Sequence, residues 1–133
     1  MPSDQTASGV VTAANKGSRT LRNVPDVAAE ANTDNYICYD GKSAAGWGGT
    51  SFAAPRWAGY LALVNQQSSG KCHGTLGFIN PAIYGIGLGS SYAADFHDIT
   101  SGSNGTYSTE KGYDLVTGWG SPNGVSLINA LAP

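Results

Sequence analysis

The sequence predicts an α/β fold, and three stretches carry that expectation. Asn35 to Tyr39 (NYICY) is a β-branched and aromatic run closed by Asp40-Gly41, the make-up of a short strand ending in a turn. From Ser51 the chain reads SFAAPRWAGYLALVNQQ, in which Phe52, Ala54, Ala58, Leu61, Ala62 and Val64 give a wide apolar face; this predicts a mostly buried helix. Asn80-Pro81 opens a second short helix, PAIYGIG, with Asn as the natural cap and Pro at the first helical position.

The remaining elements fit around these. Residues 1–20 are polar and aperiodic, and read as a loop or a poorly anchored segment. Pro25 fixes an extended backbone around it in RNVPDVAAEA. Pro55 is tolerable in the first helix because it falls in the first turn, where its missing N–H is not needed, and Ser68-Ser69-Gly70 stops that helix. Phe96 to Thr100 (FHDIT) reads as a strand end, followed by a loop rich in Gly, Ser, Asn and Thr. Gly124 to Leu131 reads as a short closing helix. No repeat or linker divides the 133 residues, so residues 1–133 form one unit.

Composition narrows the function classes. Seven Lys plus Arg against nine Asp plus Glu give a net charge of -2, so no basic surface is available for nucleic acid. No apolar run reaches the ~20 residues that cross a bilayer. Charged residues are only 12%, and Ser, Thr, Asn and 19 Gly take their place. Such a surface suits a secreted protein and loses little when acid protonates its few carboxylates. The start, MPSDQTASGV, lacks a basic and an apolar region, so no signal peptide is expected within this chain. Cys38 and Cys72 are compatible with one disulfide or with two thiols.

The sharpest chemical feature is Gly48-Gly49-Thr50-Ser51-Phe52-Ala53-Ala54-Pro55. Glycines permit a tight backbone path, and Ser51 lands at the start of a helix, where N–H groups and the helix dipole favour negative charge developing beside the hydroxyl. The plainer alternative makes Ser51 an N-cap. A second feature is Asp98-Ile99 followed by Gly112-Tyr113-Asp114. Two carboxylates joined by a flexible loop can converge on one hard cation, although isolated aspartates near turns more often serve as Asx-turn or capping residues.

The octapeptide resembles the serine motif of subtilisin-like proteases and of the sedolisins, the serine-carboxyl peptidases. Its flanks resemble the sedolisin branch. Subtilisins typically place histidine after the motif proline, whereas here Arg56-Trp57-Ala58-Gly59 follows. Arg22 to Val27 upstream, and Leu76 to Pro81, Phe96 to Thr100 and Gly118 to Pro122 downstream, match sedolisin segments in the same order. The resemblance implies the C-terminal portion of a subtilisin-like, three-layer fold built on a parallel sheet, with a calcium-binding loop.

It also implies roles. Ser51 would be the nucleophile of an endopeptidase acting on protein or peptide substrates outside the cell. One Ca²⁺ would be held by the carboxylates of Asp98 and Asp114 and the carbonyls of Ile99, Glu110 and Gly112, with Glu110 standing where the family more often has glycine. Sedolisins use a glutamate base with an aspartate behind it, and a carboxylate base implies work at acid pH. The motifs for both acids precede the segment matched here, and the only glutamates, Glu30 and Glu110, lie outside them. Neither His73 nor His97 has a sequence context that would orient it as a base. The isolated chain is therefore expected to be inactive and to need the missing N-terminal part of the catalytic domain, or self-association, to cover its sheet edge. A non-catalytic, calcium-stabilised interaction module is the alternative.

Overall fold

A computed structural model describes residues 1–71 and 73–133. Among these residues a short 3₁₀ turn (Ser3–Gln5) is followed by four α-helices and four short strands in the order β1 (Asn35–Tyr39), β2 (Lys42–Trp47), α1 (Thr50–Gly70), α2 (Asn80–Gly87), α3 (Tyr92–Asp95), β3 (Phe96–His97), β4 (Ser121–Pro122) and α4 (Gly124–Leu131). The mixed α/β expectation holds. Both sheets are antiparallel pairs, β1 with β2 and β3 with β4, and no parallel pair forms among the described residues.

The first pair is a hairpin. Tyr39 faces Lys42, and Asp40 and Gly41 take φ of 49° and 69°, the left-handed pair that a two-residue hairpin turn requires. Sequence reading found β1 and missed β2. KSAAGW has no β-branched residue, and its extended conformation comes from pairing with β1.

Helix α1 corrects two expectations. It begins at Thr50, so Pro55 lies in the second turn, where its absent N–H leaves the Ser51 carbonyl without the usual partner four residues on. It is also largely uncovered: only Trp57, Val64 and Ser68 are buried, and Leu63 is 52% exposed. Its apolar composition is real, but most of that face has nothing packed on it. Helix α2 corrects a third: Ile79 is the cap residue, Pro81 follows one position later than expected, and Asn80 makes no capping bond.

The core forms at the other end. Trp119, 2% exposed, sits at its centre, with Tyr84, Tyr92 and Tyr113 around it at ring separations of 5.5–5.8 Å. Gly87 makes this possible, because a Cβ there would overlap the Trp119 ring. Phe96, Ile83, Leu127 and Leu131 belong to the same core, as do Val10, Leu115 and Ala132, and α1 reaches it through Trp57 and Val64. Helices α1 and α4 run side by side in the same direction: Tyr60 donates to the Gly124 carbonyl at 2.6 Å, while Gln67 and Lys71 donate to the Ala132 carbonyl at 2.9 and 2.8 Å.

Residues 1–20 are a loop, as expected, but a tethered one. Gln5 is fully buried, with its side chain donating to Asn23 O at 2.8 Å and to Tyr84 Oη at 2.7 Å. Asn15 reaches the carbonyls of Val10 and Tyr113 at 2.7 and 3.0 Å. Tyr84 Oη in turn donates to Asp26 Oδ1 at 2.7 Å, and Arg22 pairs with the other Asp26 oxygen.

The chain exposes 7707 Å². A compact monomer of its 13.6 kDa would expose roughly 6,600 Å². The surplus, roughly 1,100 Å², is somewhat more than the roughly 800 Å² that one partner loses in a standard protein interface.

Burial, then the neighbouring Tyr113 and Asp26, push the Tyr84 hydroxyl well above its ordinary value of 10.0. The folded chain therefore keeps a proton that the unfolded chain loses above about pH 10. Stability should fall there by about 1.4 kcal/mol per pH unit for this group. Urea titrations from pH 8 to 12 should show the decline, and Tyr84→Phe should be less stable throughout but decline less steeply. An equal slope in the variant would contradict this account.

Candidate active site

Three segments meet around Ser51. The first is the extended run 24–31, whose Asp26 carbonyl accepts from Trp119 N at 2.9 Å and whose Ala28 N donates to Gly120 O at 2.9 Å. The second is the glycine pair ahead of α1. Gly49 has φ 113° and ψ 164°, a conformation that side chains other than glycine rarely adopt, and its N–H donates to Ala31 O at 2.6 Å. Gly48 lies against Asn32 so closely that any Cβ would collide with that backbone. The third is α1 itself, anchored by Trp57 Nε1 donating to Ala28 O at 2.8 Å.

Gly49 is the cap residue, and Ser51 occupies the second position inside the helix. This excludes the plainer reading of Ser51 as the N-cap. The residue is exposed, and no side chain among the described residues hydrogen-bonds its hydroxyl. Thr50, Ala53 and Ala54 line a groove of about 790 Å³ together with Val27, Ala29, Leu115 and Val116; Ser51 is next in chain to Thr50 but is not itself among the lining residues. The small side chains after Ser51 thus open onto an apolar trough. Glu30 is exposed, with a carboxylate oxygen accepting from the nearby Asn32 N–H. His73 and His97 are exposed, and neither is hydrogen-bonded to Ser51.

The second group gathers in the loop after β3. Asp98 accepts from Gly112 N at 3.1 and 3.3 Å through its two oxygens. Asp114, with no exposed surface, accepts from Glu110 N at 3.0 Å through Oδ2, and from Val116 N and Thr117 N at 2.9 and 2.7 Å through Oδ1. Hydrogen bonds thus tie Asp98 to Gly112 and Asp114 to Glu110, two separate pairs that chain connectivity brings into the same loop, with Ile99, half-buried, next in chain to Asp98. Asp114 also plays the plainer part, closing its own turn.

Donor chemistry here suits a hard cation. Among the described residues, the carbonyls of Ile99, Glu110 and Gly112 accept no hydrogen bond, and no Lys or Arg pairs with either aspartate. No group of three His, Cys, Asp or Glu side chains forms a metal cluster among the described residues, so carbonyls would have to complete any coordination shell. Burial, then the nearby Asp98 carboxylate, raises the Tyr92 hydroxyl above its ordinary value, as expected beside uncompensated negative charge. Cys38 is exposed on β1 with Sγ 3.0 Å from Ser43 Oγ, and the question of a Cys38–Cys72 bridge lies outside the described residues, since Cys72 is not among them.

Comparison with known proteins decides the family. Over its whole length the chain is 38% identical to kumamolisin of Bacillus sp. (strain MN-32). The chain belongs to the sedolisin family. Two further sedolisins agree: tripeptidyl-peptidase sed1 of Aspergillus fumigatus is 37% identical across 84% of the chain, and human tripeptidyl-peptidase 1 is 32% identical across 83%. Sedolisins are serine-type peptidases, and the matched segment is the C-terminal part of these relatives. The chain spans only 24%, 17% and 20% of their respective lengths. No protein-family model matches it. Sequence reading used Arg56 only to distinguish branches; the bonds that Arg56 makes had no signal in the sequence.

The Asp114 hydrogen bonds give a prediction independent of any metal. Asp114→Ala strands the half-buried N–H groups of Val116 and Thr117, and should cost about 1–3 kcal/mol in a urea melt. Asp114→Asn, which keeps an acceptor at Oδ1, should cost less; equal losses would mean that these bonds are not what holds the loop.

Proposed function

We propose that this chain is the C-terminal segment of the catalytic domain of an acid-acting, secreted serine-carboxyl peptidase, with Ser51 as its nucleophile. One observation carries the reading: Ser51 stands exposed at the second position of α1, behind a glycine cap and next in chain to Thr50, which lines an apolar trough, in a chain of sedolisin ancestry. Ser51 attacks the scissile carbonyl of a protein or peptide and passes its proton to a glutamate, which hands it to the departing amine as the C–N bond breaks; the same glutamate then takes a proton from the water that attacks the acyl-enzyme and returns it to the Ser51 oxygen as the acid leaves. Negative charge on the carbonyl oxygen develops where free N–H groups of the α1 N-terminus favour it. The Glu–Asp pair comes from outside this sequence, so the isolated chain has no turnover.

Residues 24–31 serve in this reading as a strand of the family's parallel sheet. Among the described residues, the N–H and C=O groups of Val27 and Ala29 make no hydrogen bond, although both residues are half-buried. Unpaired backbone at that depth is costly. A neighbouring strand from the rest of a sedolisin catalytic domain, or from a second copy, satisfies it and covers the surplus apolar surface. Asp98 and Asp114, with the Ile99, Glu110 and Gly112 carbonyls, hold one Ca²⁺. Bound there, such an ion would offset the charge of the two carboxylates.

Two measurements test this. Calcium at 100 times its dissociation constant should stabilise the chain by about 2.7 kcal/mol, and Asp98→Ala should remove the shift in melting temperature. A melt indifferent to calcium would sink the metal assignment. Combined with a sedolisin segment that supplies the Glu and Asp, the chain should gain acid-active peptidase turnover that Ser51→Ala abolishes. Turnover persisting in that variant would sink the nucleophile.

A further inference from the structure

We propose that Arg56 is the positioning residue of the Ser51 loop, holding the glycine elbow in shape through two separate acceptors. The inference rests on Ser51 as nucleophile for its functional meaning, but its geometry stands apart from that reading.

The elbow cannot hold itself. Gly48 and Gly49 carry no side chains, and Gly49 occupies a conformation it would leave readily in a free chain. What fixes it is the neighbouring backbone: the Ala31 carbonyl accepts the Gly49 N–H, and the Asn32 peptide blocks Gly48 from behind. The elbow is therefore only as well placed as residues 30–35.

Those residues lean on Arg56. Its Nη1 donates to the Glu30 carbonyl at 2.8 Å, and its Nη2 donates to Asn35 Oδ1. Asn35, buried at 7% exposure, passes the constraint back by donating from Nδ2 to the Asn32 carbonyl at 2.9 Å. Asn35 also pairs with Trp47 across the hairpin, so both chain ends that enter the elbow are tied to one guanidinium. Arg56 itself sits five residues after Ser51 on the same helix. The result is a closed ring, running from α1 through Arg56 to residues 30–35 and back through the elbow to Ser51.

The fork matters more than the charge. Among the described residues Arg56 has no carboxylate partner; both named acceptors are neutral oxygens in different segments. A lysine ammonium is a single point on a flexible stem and cannot reproduce the planar, two-pronged geometry. Arg56→Lys should consequently fail to rescue, which a role in charge alone would not produce.

The test is amide hydrogen exchange on the chain itself. In Arg56→Lys, the Gly49 N–H should exchange at least about tenfold faster, with its amide chemical shift displaced, while the Ala132 amide at the end of α4 is unchanged. Asn35→Ala, which removes one prong, should give a smaller increase at the same site. Arg22→Lys, which alters the other arginine with a structural partner, should leave Gly49 as it was. Unchanged Gly49 exchange in both Arg56→Lys and Asn35→Ala would overturn the proposal, as would an equal rise at Gly49 and Ala132, which marks general loosening. If Ser51→Ala leaves turnover intact while Arg56→Lys still frees Gly49, the peptidase reading fails and the clamp survives.

Discussion

Everything at the well-packed end of this chain depends on backbone running against backbone with no side chain between. Gly118 has a φ of 62°, and a Cβ on it would overlap the Asp26 carbonyl; a Cβ on Gly120 would overlap the carbonyl of His97. Between them Trp119 is driven into the aromatic cluster, its own N–H donating to Asp26 O. One tripeptide thereby joins the extended run 24–31, strand β3 and the core. The acidic loop hangs from the same point, because Asp114 and Gly118 exchange both backbone hydrogen bonds, at 3.2 and 3.1 Å. Alanine at either glycine would push apart two segments, not merely strain one residue.

The nucleophile end is organised by different means. There the contacts are few and polar: Trp57 to Ala28, Gly49 to Ala31, Arg56 to Glu30 and Asn35. Directional bonds fix geometry where a packed core is absent. The extended run 24–31 is common to both ends, bonded on one side to Trp119 and Gly120 and on the other to α1.

Legibility in the sequence followed the range of the forces involved. Helix α4 could be read to the residue, since GVSLINAL is a compact apolar stripe bracketed by Asn123 and the chain end. The existence of α1 was equally readable, but its burial was not: periodicity says which face is apolar, and nothing about what covers it. Strand β2 was missed because small residues became a strand only by pairing, and α3 because four residues carry too little pattern. Asp98 and Asp114 are 16 positions apart, and chemistry alone left them ambiguous between turn closure and ion binding. Asp114 visibly does the first, and its neighbouring free carbonyls leave room for the second.

The uncovered face of α1 also bears on how this chain responds to denaturants and heat. Solvent that already wets Leu63 and its neighbours in the folded state is not newly admitted on unfolding. The dependence of stability on urea, and the heat-capacity step on melting, both scale with newly exposed area. Both should therefore be smaller than 133 residues would suggest.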